Sequence, residues 1–427
     1  MGDKPPNKVR DRSPRRPSGN AAGRSFVWLI FFTVVVRGTV LWLGRQSLCL
    51  DPDGYRLLAK HLIERHSFAL NGFPTAFRPP LYPLLLAPAA GWLNNDRLAI
   101  ALLHLILGVA TVAVVYFVAR SARFQRGAVL AGMLVALDPV LLYWSTFVMT
   151  ETLATLLAVV CLLALHQTSI RPSLARAGLA GACLGTASLC RPAFLPWFVL
   201  CFPALVMCGG GRWPERLGRG LALVAGCGLL ILPWAIRNEL LFGKPIFTTT
   251  HGGYTLLLGN NPDFYAYLRS GSWGAAWQPD QFFSRYAAEK HKARGPQDEL
   301  RNDRHDYEQA RSNIRQSPAM FVYASLVRVA RLWSPLPHRI SANERPARML
   351  LRWAAAAWYA AEYGLALLGI WTIGARWGKS PWIWAVLLAV AVTAVHAIYW
   401  SNLRMRAPLV PAIALAAAAG AERLRNR

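Results

Sequence analysis

Apolar stretches long enough to cross a membrane recur along the 427-residue chain, separated by short arginine-rich segments. A helix of about 20 apolar residues spans a hydrocarbon core of about 30 Å. The pattern predicts ten spans. They cover 25–44, 98–119, 127–143, a fourth opening at Thr150, then 177–189, 194–208, 221–234, 353–373, 381–400 and 408–420. The fifth is rich in Gly and Ala, which suits close helix packing. The segment 319–333 is also apolar but carries Arg328 and Arg331, and reads as a surface-lying helix. Were it to cross, there would be eleven spans. The fold class is therefore an all-α polytopic membrane protein.

Positive charge favours the cytoplasmic side. The basic tail before the first span, then Arg120, Arg123 and Arg126, then Arg171 and Arg176, then Arg212, Arg216 and Arg219 all mark inner loops. Four regions follow. Residues 1–24 form a disordered basic cytoplasmic tail, with no cleavable signal peptide evident. Residues 25–236 form a catalytic membrane module of about seven spans, with a first external loop at 45–97. Residues 237–352 form an external loop with juxtamembrane helices. Residues 353–427 hold the last spans and a short basic tail. In the first loop, Tyr55, Leu58, Leu62 and Ile63 recur at helical spacing over 54–68, predicting an amphipathic helix. The stretch 81–92 is too short and proline-rich to span, and reads as juxtamembrane or re-entrant. The second loop carries turn-rich segments at 248–254 and 259–262, then charged helical stretches at 281–293 and 297–316.

Composition agrees. The chain is 54% hydrophobic and 16% charged, against about 25% charged in soluble domains. The net charge of +26 fits cytoplasmic loops and anionic membrane lipids. Nucleic acid is excluded as a partner, because no soluble domain collects the basic residues on one face. The seven cysteines show no C-x-x-C spacing and no disulfide framework. No Walker loop, G-x-G-x-x-G, H-E-x-x-H or G-x-S-x-G motif occurs. An enzyme without those sites needs an activated substrate, and a lipid-linked phosphosugar is one.

Ionisable groups near membrane depth cost about 2.5–3.5 kcal/mol on insertion scales, so those retained are functional candidates. In the ten-span arrangement Asp51, Asp53, Arg78, Asp138, Glu151, Arg191, Arg237, Arg404 and Arg406 all face the external side. A carboxylate can take a proton from an acceptor hydroxyl, and an arginine can grip a phosphate. Asp51 and Asp53, two apart, share a face if the segment is extended. They could then raise each other's pKa or bind a metal, although Asp53 could instead cap the following helix. Arg78-Pro79-Pro80 presents one guanidinium near the headgroup plane. Glu151 opens a span, and Asp138-Pro139 could simply terminate one. Arg404-Met405-Arg406 reads as a second phosphate clamp. His251 reads as a satisfied loop histidine. No cofactor is expected, and a divalent metal lacks support.

The order of these motifs is informative. It runs from Asp51-x-Asp53-x-Tyr55 through Arg78-Pro79-Pro80-Leu81-Tyr82-Pro83, Asp138-Pro139, Thr150-Glu151 and Arg191-Pro192. It continues with Pro233-Trp234-x-x-Arg237-Asn238, Gly252, Gly259-Asn260-Asn261-Pro262 and Arg404-x-Arg406-x-Pro408. Over residues 25–420 this resembles the bacterial integral-membrane glycosyltransferases of the type C fold. Those enzymes are relatives of the protein O-mannosyltransferases and of the lipid A aminoarabinose transferase. The resemblance implies sugar transfer from a polyprenyl-phosphate donor to a lipid, glycan or protein acceptor at the periplasmic face of a bacterial inner membrane. It assigns the catalytic carboxylate to Asp51, with Asp53 as alternate, and carrier-phosphate contact to Arg78. Tyr55, Asp138, Glu151, Arg191, Arg237, Asn260, Asn261, Arg404 and Arg406 are the further substrate-binding candidates. Phe77 stands where the lipid A transferase has a glutamate, so a metal site built on that glutamate is not implied. The rival readings are a lipid-linked glycan polymerase or ligase using a diphosphate carrier, and a polyprenyl-lipid flippase.

Overall fold

The computed structural model describes residues 19–92, 96–122, 127–271, 277–289, 295–339 and 343–425. Its helices are α1 (Gly19–Leu43), α2 (Tyr55–Arg65), α3 (Leu81–Trp92), α4 (Asp96–Ser121), α5 (Gly127–Leu137), α6 (Pro139–Trp144), α7 (Glu151–Ile170), α8 (Leu174–Cys190) and α9 (Leu195–Cys208). There follow α10 (Trp213–Phe242), α11 (Gly252–Gly259), α12 (Pro262–Ser270), α13 (Asp280–Glu289), α14 (Pro296–Gln316), α15 (Pro318–Trp333), α16 (Pro346–Ile373), α17 (Trp382–Ile398) and α18 (Val410–Arg425). The tail expected over 1–24 lies outside the described residues up to position 18, and 19–24 open α1. Arg123, Arg126 and the end of the 281–293 stretch also lie outside them.

Each of the ten apolar stretches is helical, and the third is divided between two helices. By length and composition α1, α4, α7, α10 and the segment Leu403–Arg425 can each cross a membrane. The α16 and α17 segments qualify only together, across a bend of 105°, which makes at most a sixth. α5, α8 and α9 are apolar but shorter. The expected third span, 127–143, is broken. Pro139 has no N–H to continue α5. Asp138 instead caps α6 by accepting the Leu141 N–H at 2.8 Å. The seventh span is longer than its apolar stretch, so Arg237 lies inside α10 rather than beyond it.

The bundle is tightest where small residues meet. A methyl group on Gly181 would overlap the Leu223 carbonyl, and one on Gly226 would overlap that of Gly178, so α8 and α10 touch backbone to backbone. Gly369 and Gly420 make the same seam between α16 and α18, against Ala416 and Leu365. Without a hydrophobic drive between helices in lipid, such close approach is what holds them together.

The first polar loop is ordered by three devices. α2 buries Tyr55, Leu58, Ala59 and His61. A two-stranded hairpin follows, Ala69–Leu70 against Phe73–Pro74. Its turn, Asn71-Gly72, has φ of 52° and 85°, the left-handed pair that a tight hairpin requires. Arg237 then reaches over from α10 and donates to the carbonyls of Thr75 (2.8 Å) and Phe68 (2.9 Å).

Gly226→Leu should prise α8 from α10 and destabilise the protein by at least about 1–3 kcal/mol. Unfolding of the purified variant in detergent, compared with wild type, measures this.

Candidate functional site

Residues 51–54 form a turn rather than an extended segment, with Gly54 N–H donating to Asp51 O and Gly54 at φ 74°. The turn gives the two carboxylates different partners, so the expected shared face is not formed. Asp51, not Asp53, serves the following helix: its Oδ2 accepts the Leu57 N–H at 3.0 Å in the first turn of α2. Its Oδ1 is buried and has no hydrogen-bond partner. Asp53 Oδ1 pairs with Arg78 Nη2 at 2.9 Å, both side chains largely enclosed.

Arg78 is held on several sides. Besides Asp53 it faces His251 Nε2 at 3.2 Å, and it lies over the rings of Tyr55 (5.7 Å) and Phe77 (5.2 Å). Its Nε is buried and unpartnered. His251 comes from the turn before α11, more than 170 residues away in sequence. The sequence alone reads it as a satisfied loop histidine. It is indeed partnered, and its partner is the candidate phosphate-binding arginine.

A second charged group lies across the Tyr55–Tyr82 pair, whose rings meet edge to face at 5.2 Å. Glu151 is 1% exposed at the start of α7. Its Oε1 sits 2.5 Å from Arg191 Nη2 and 3.1 Å from Arg404 Nε, while its Oε2 is buried and unpartnered. Arg191 also donates to Thr150 Oγ1 at 2.9 Å. Tyr82 bonds His104 Nε2 at 2.7 Å, and His104 Nδ1 contacts the Ser145 carbonyl at 2.6 Å. Burial pushes the Tyr55 phenol above its ordinary pKa; Arg78 and Arg191 pull against this while Asp53 adds to it. The Tyr82 phenol is pushed up by burial, with Glu151 and Asp51 adding to the effect. Both tyrosines therefore stay neutral, and the charged groups around Arg78 and Glu151 together make up the candidate site.

The other candidates lie elsewhere. Asp138 is fully buried, with Oδ1 on the Leu141 N–H and Oδ2 accepting from Tyr359 at 3.1 Å. Arg406 does not join Arg404 in one clamp. The short 3-10 helix Leu403–Leu409 turns Arg406 into the protein, where it donates to the Ser334 carbonyl at 2.9 Å and covers the Tyr359 ring at 4.2 Å. Arg237 pins the first polar loop, as described. Asn260 and Asn261 are buried and occupied: Asn260 Nδ2 donates to Leu256 O and Ile398 O, and Asn261 Oδ1 caps α12 through the Phe264 N–H.

The sequence reading missed Glu299. On α14, its Oε2 accepts from Thr75 Oγ1 at 2.6 Å and its Oε1 from the Ala76 N–H at 2.9 Å and from Thr250 Oγ1. One carboxylate thus fastens the segment before Arg78 to the segment before His251. Among the described residues no three His, Cys, Asp or Glu side chains gather as a metal-binding group.

Residues 77–236 match the family model described as dolichyl-phosphate-mannose-protein mannosyltransferase. Comparison with curated proteins gives no match. Among solved structures, the chain superposes on the archaeal oligosaccharyltransferase AglB from Archaeoglobus fulgidus, solved with an inhibitory peptide and a dolichol-phosphate. The TM-score is 0.55 at 15% identity, over 94% of this chain and 50% of that one. ArnT from Cupriavidus metallidurans, solved with undecaprenyl phosphate, aligns at 17% identity over 92% of this chain and 78% of that one, with a TM-score of 0.40. The chain is thus an integral membrane protein with the fold of the type C glycosyltransferases. It spans about half the length of the archaeal oligosaccharyltransferase it matches.

Glu299→Ala should free the Thr75–Ala76 segment, leaving its donors unpaired at a cost of about 1–3 kcal/mol. Hydrogen exchange at the Ala76 amide should speed up while exchange within α7 stays unchanged.

Proposed function

We propose that the chain is a membrane glycosyltransferase. It moves a sugar from a polyprenyl-phosphate donor to a hydroxyl or amine of a lipid, glycan or protein acceptor, at the external face of the membrane. Asp51 Oδ1 is the observation that carries this reading: a buried carboxylate oxygen without a partner, beside an arginine-rich site. An unsatisfied buried acceptor is costly, and a substrate proton would satisfy it.

In this reading Asp51 accepts the proton of the acceptor as its oxygen or nitrogen attacks the anomeric carbon. The new bond to that carbon forms while its bond to the phosphate oxygen breaks, and configuration inverts. The departing polyprenyl phosphate takes up the electron pair. Its charge is met by Arg78, whose Nε is unpartnered, and by Arg191 and Arg404 beside Glu151. Asp53 and the Tyr55 ring hold the Arg78 guanidinium in place. Asp138, Arg237, Arg406, Asn260 and Asn261 support the fold around the site rather than touching substrate. The membrane is the bacterial inner membrane. The match to a mannosyltransferase family model supports sugar transfer as the reaction class.

Asp51→Asn should lower transfer from a purified polyprenyl-phosphate sugar by about 10²–10⁴-fold with little change in donor binding. Near-normal turnover in that variant would sink the assignment. Arg78→Ala should cost about 10²–10³-fold, and Arg78→Lys should recover only part of it, because the paired geometry with Asp53 is lost.

A further inference from the structure

A cavity of about 230 Å³ lies among α11, α12, α13 and α14. It is lined by Asp263, Phe282, Arg285, Tyr286, Gln309 and Asn313, among others. None of these residues takes part in the chemistry described above. The charges on its wall are matched internally: Arg285 pairs with Asp263, and the Tyr286 hydroxyl donates to Asp306 at 2.8 Å. The rest of the lining mixes aromatic faces, the exposed Ser312 hydroxyl at the rim and amides, of which Asn313 Nδ2 donates to Asn260 O at 3.0 Å.

That mixture suits a neutral pyranose. A sugar ring has an apolar C–H face that rests on an aromatic ring, and a rim of hydroxyls that amides and a guanidinium can bond. A charged ligand would have to compete with the Asp263–Arg285 pair for its partner.

The cavity is joined to Arg78 by a row of rings. His251, against Arg78, lies 5.0 Å from the Tyr254 ring. Tyr254 lies 5.3 Å from Tyr286, and Tyr286 stacks on Phe282 at 5.6 Å and 20°. The same helix frames both ends: α14 carries Glu299, which fastens the Arg78 segment, and Gln309 and Asn313, which line the cavity.

We propose that this cavity is a saccharide subsite that holds a neutral sugar unit of the acceptor while the acceptor's reactive group reaches Asp51. The inference rests on the glycosyltransferase reading and narrows the acceptor to a glycan or glycolipid.

Saturation-transfer NMR on the full chain in nanodiscs tests it, using lactose, gentiobiose, α-1,2-mannobiose and N,N′-diacetylchitobiose as probes. At least one should receive saturation from the wild-type protein. The double variant Arg285→Ala/Gln309→Ala should weaken that binding by about tenfold, the loss of roughly one or two hydrogen bonds. Ser312→Trp, at an exposed rim position, should block it by filling the cavity, and serves where the double variant folds poorly. Binding of no probe to wild type, or binding that survives both variants, overturns the subsite. Asp51→Asn separates the two ideas. The subsite predicts unchanged sugar binding in that variant, whereas the catalytic reading predicts lost transfer.

Discussion

Arg78 is the point on which the polar half of the molecule depends. A guanidinium this enclosed must be paired, or burial would cost several kcal/mol. The chain supplies the pairing from two places far apart in sequence: Asp53 from the first polar loop and His251 from the second. The Tyr55 and Phe77 rings close the remaining faces. Satisfying one charge therefore requires both loops to be in register. The register is then fixed by groups that never touch Arg78, namely Glu299 across Thr75, Ala76 and Thr250, and Arg237 across Phe68 and Thr75.

Around this anchor the structure leaves certain atoms unsatisfied. Asp51 Oδ1, Arg78 Nε and Glu151 Oε2 are buried without partners. Buried polar atoms are nearly always bonded in folded proteins, so each of these is a group that a substrate could satisfy. Arg406 Nε and Nη2 and Glu362 Oε1 are also buried without partners, whereas other candidates are occupied. Asp138 spends both oxygens on a helix cap and a tyrosine, and Asn260 and Asn261 spend theirs on turns.

Much of the helical frame was legible in the sequence, because a run of apolar residues has one stable form in lipid. The break at Asp138-Pro139 was visible as a proline but was read as a span end. The hairpin at Asn71-Gly72 carries a clear turn signal in its asparagine-glycine pair. At the site, Asp51, Asp53, Arg78 and Glu151 were found as residue types in a suggestive order, and Arg78 with Asp53 and Glu151 with Arg191 proved to be paired. What could not be read was the division of labour. Which aspartate caps α2 depends on the turn at Gly54, and which arginine faces Glu151 depends on a 3-10 helix. Glu299 and His251 join the site only through tertiary contact, since nothing in a charged amphipathic stretch or a histidine-glycine turn signals a partner more than a hundred residues away.

The Glu299 clasp makes the two polar loops a single thermodynamic unit. A molecule that draws residues 75–78 toward itself also tugs on Thr250, and with it on the start of α11. A pull on one polar loop would be felt at the other through a single carboxylate.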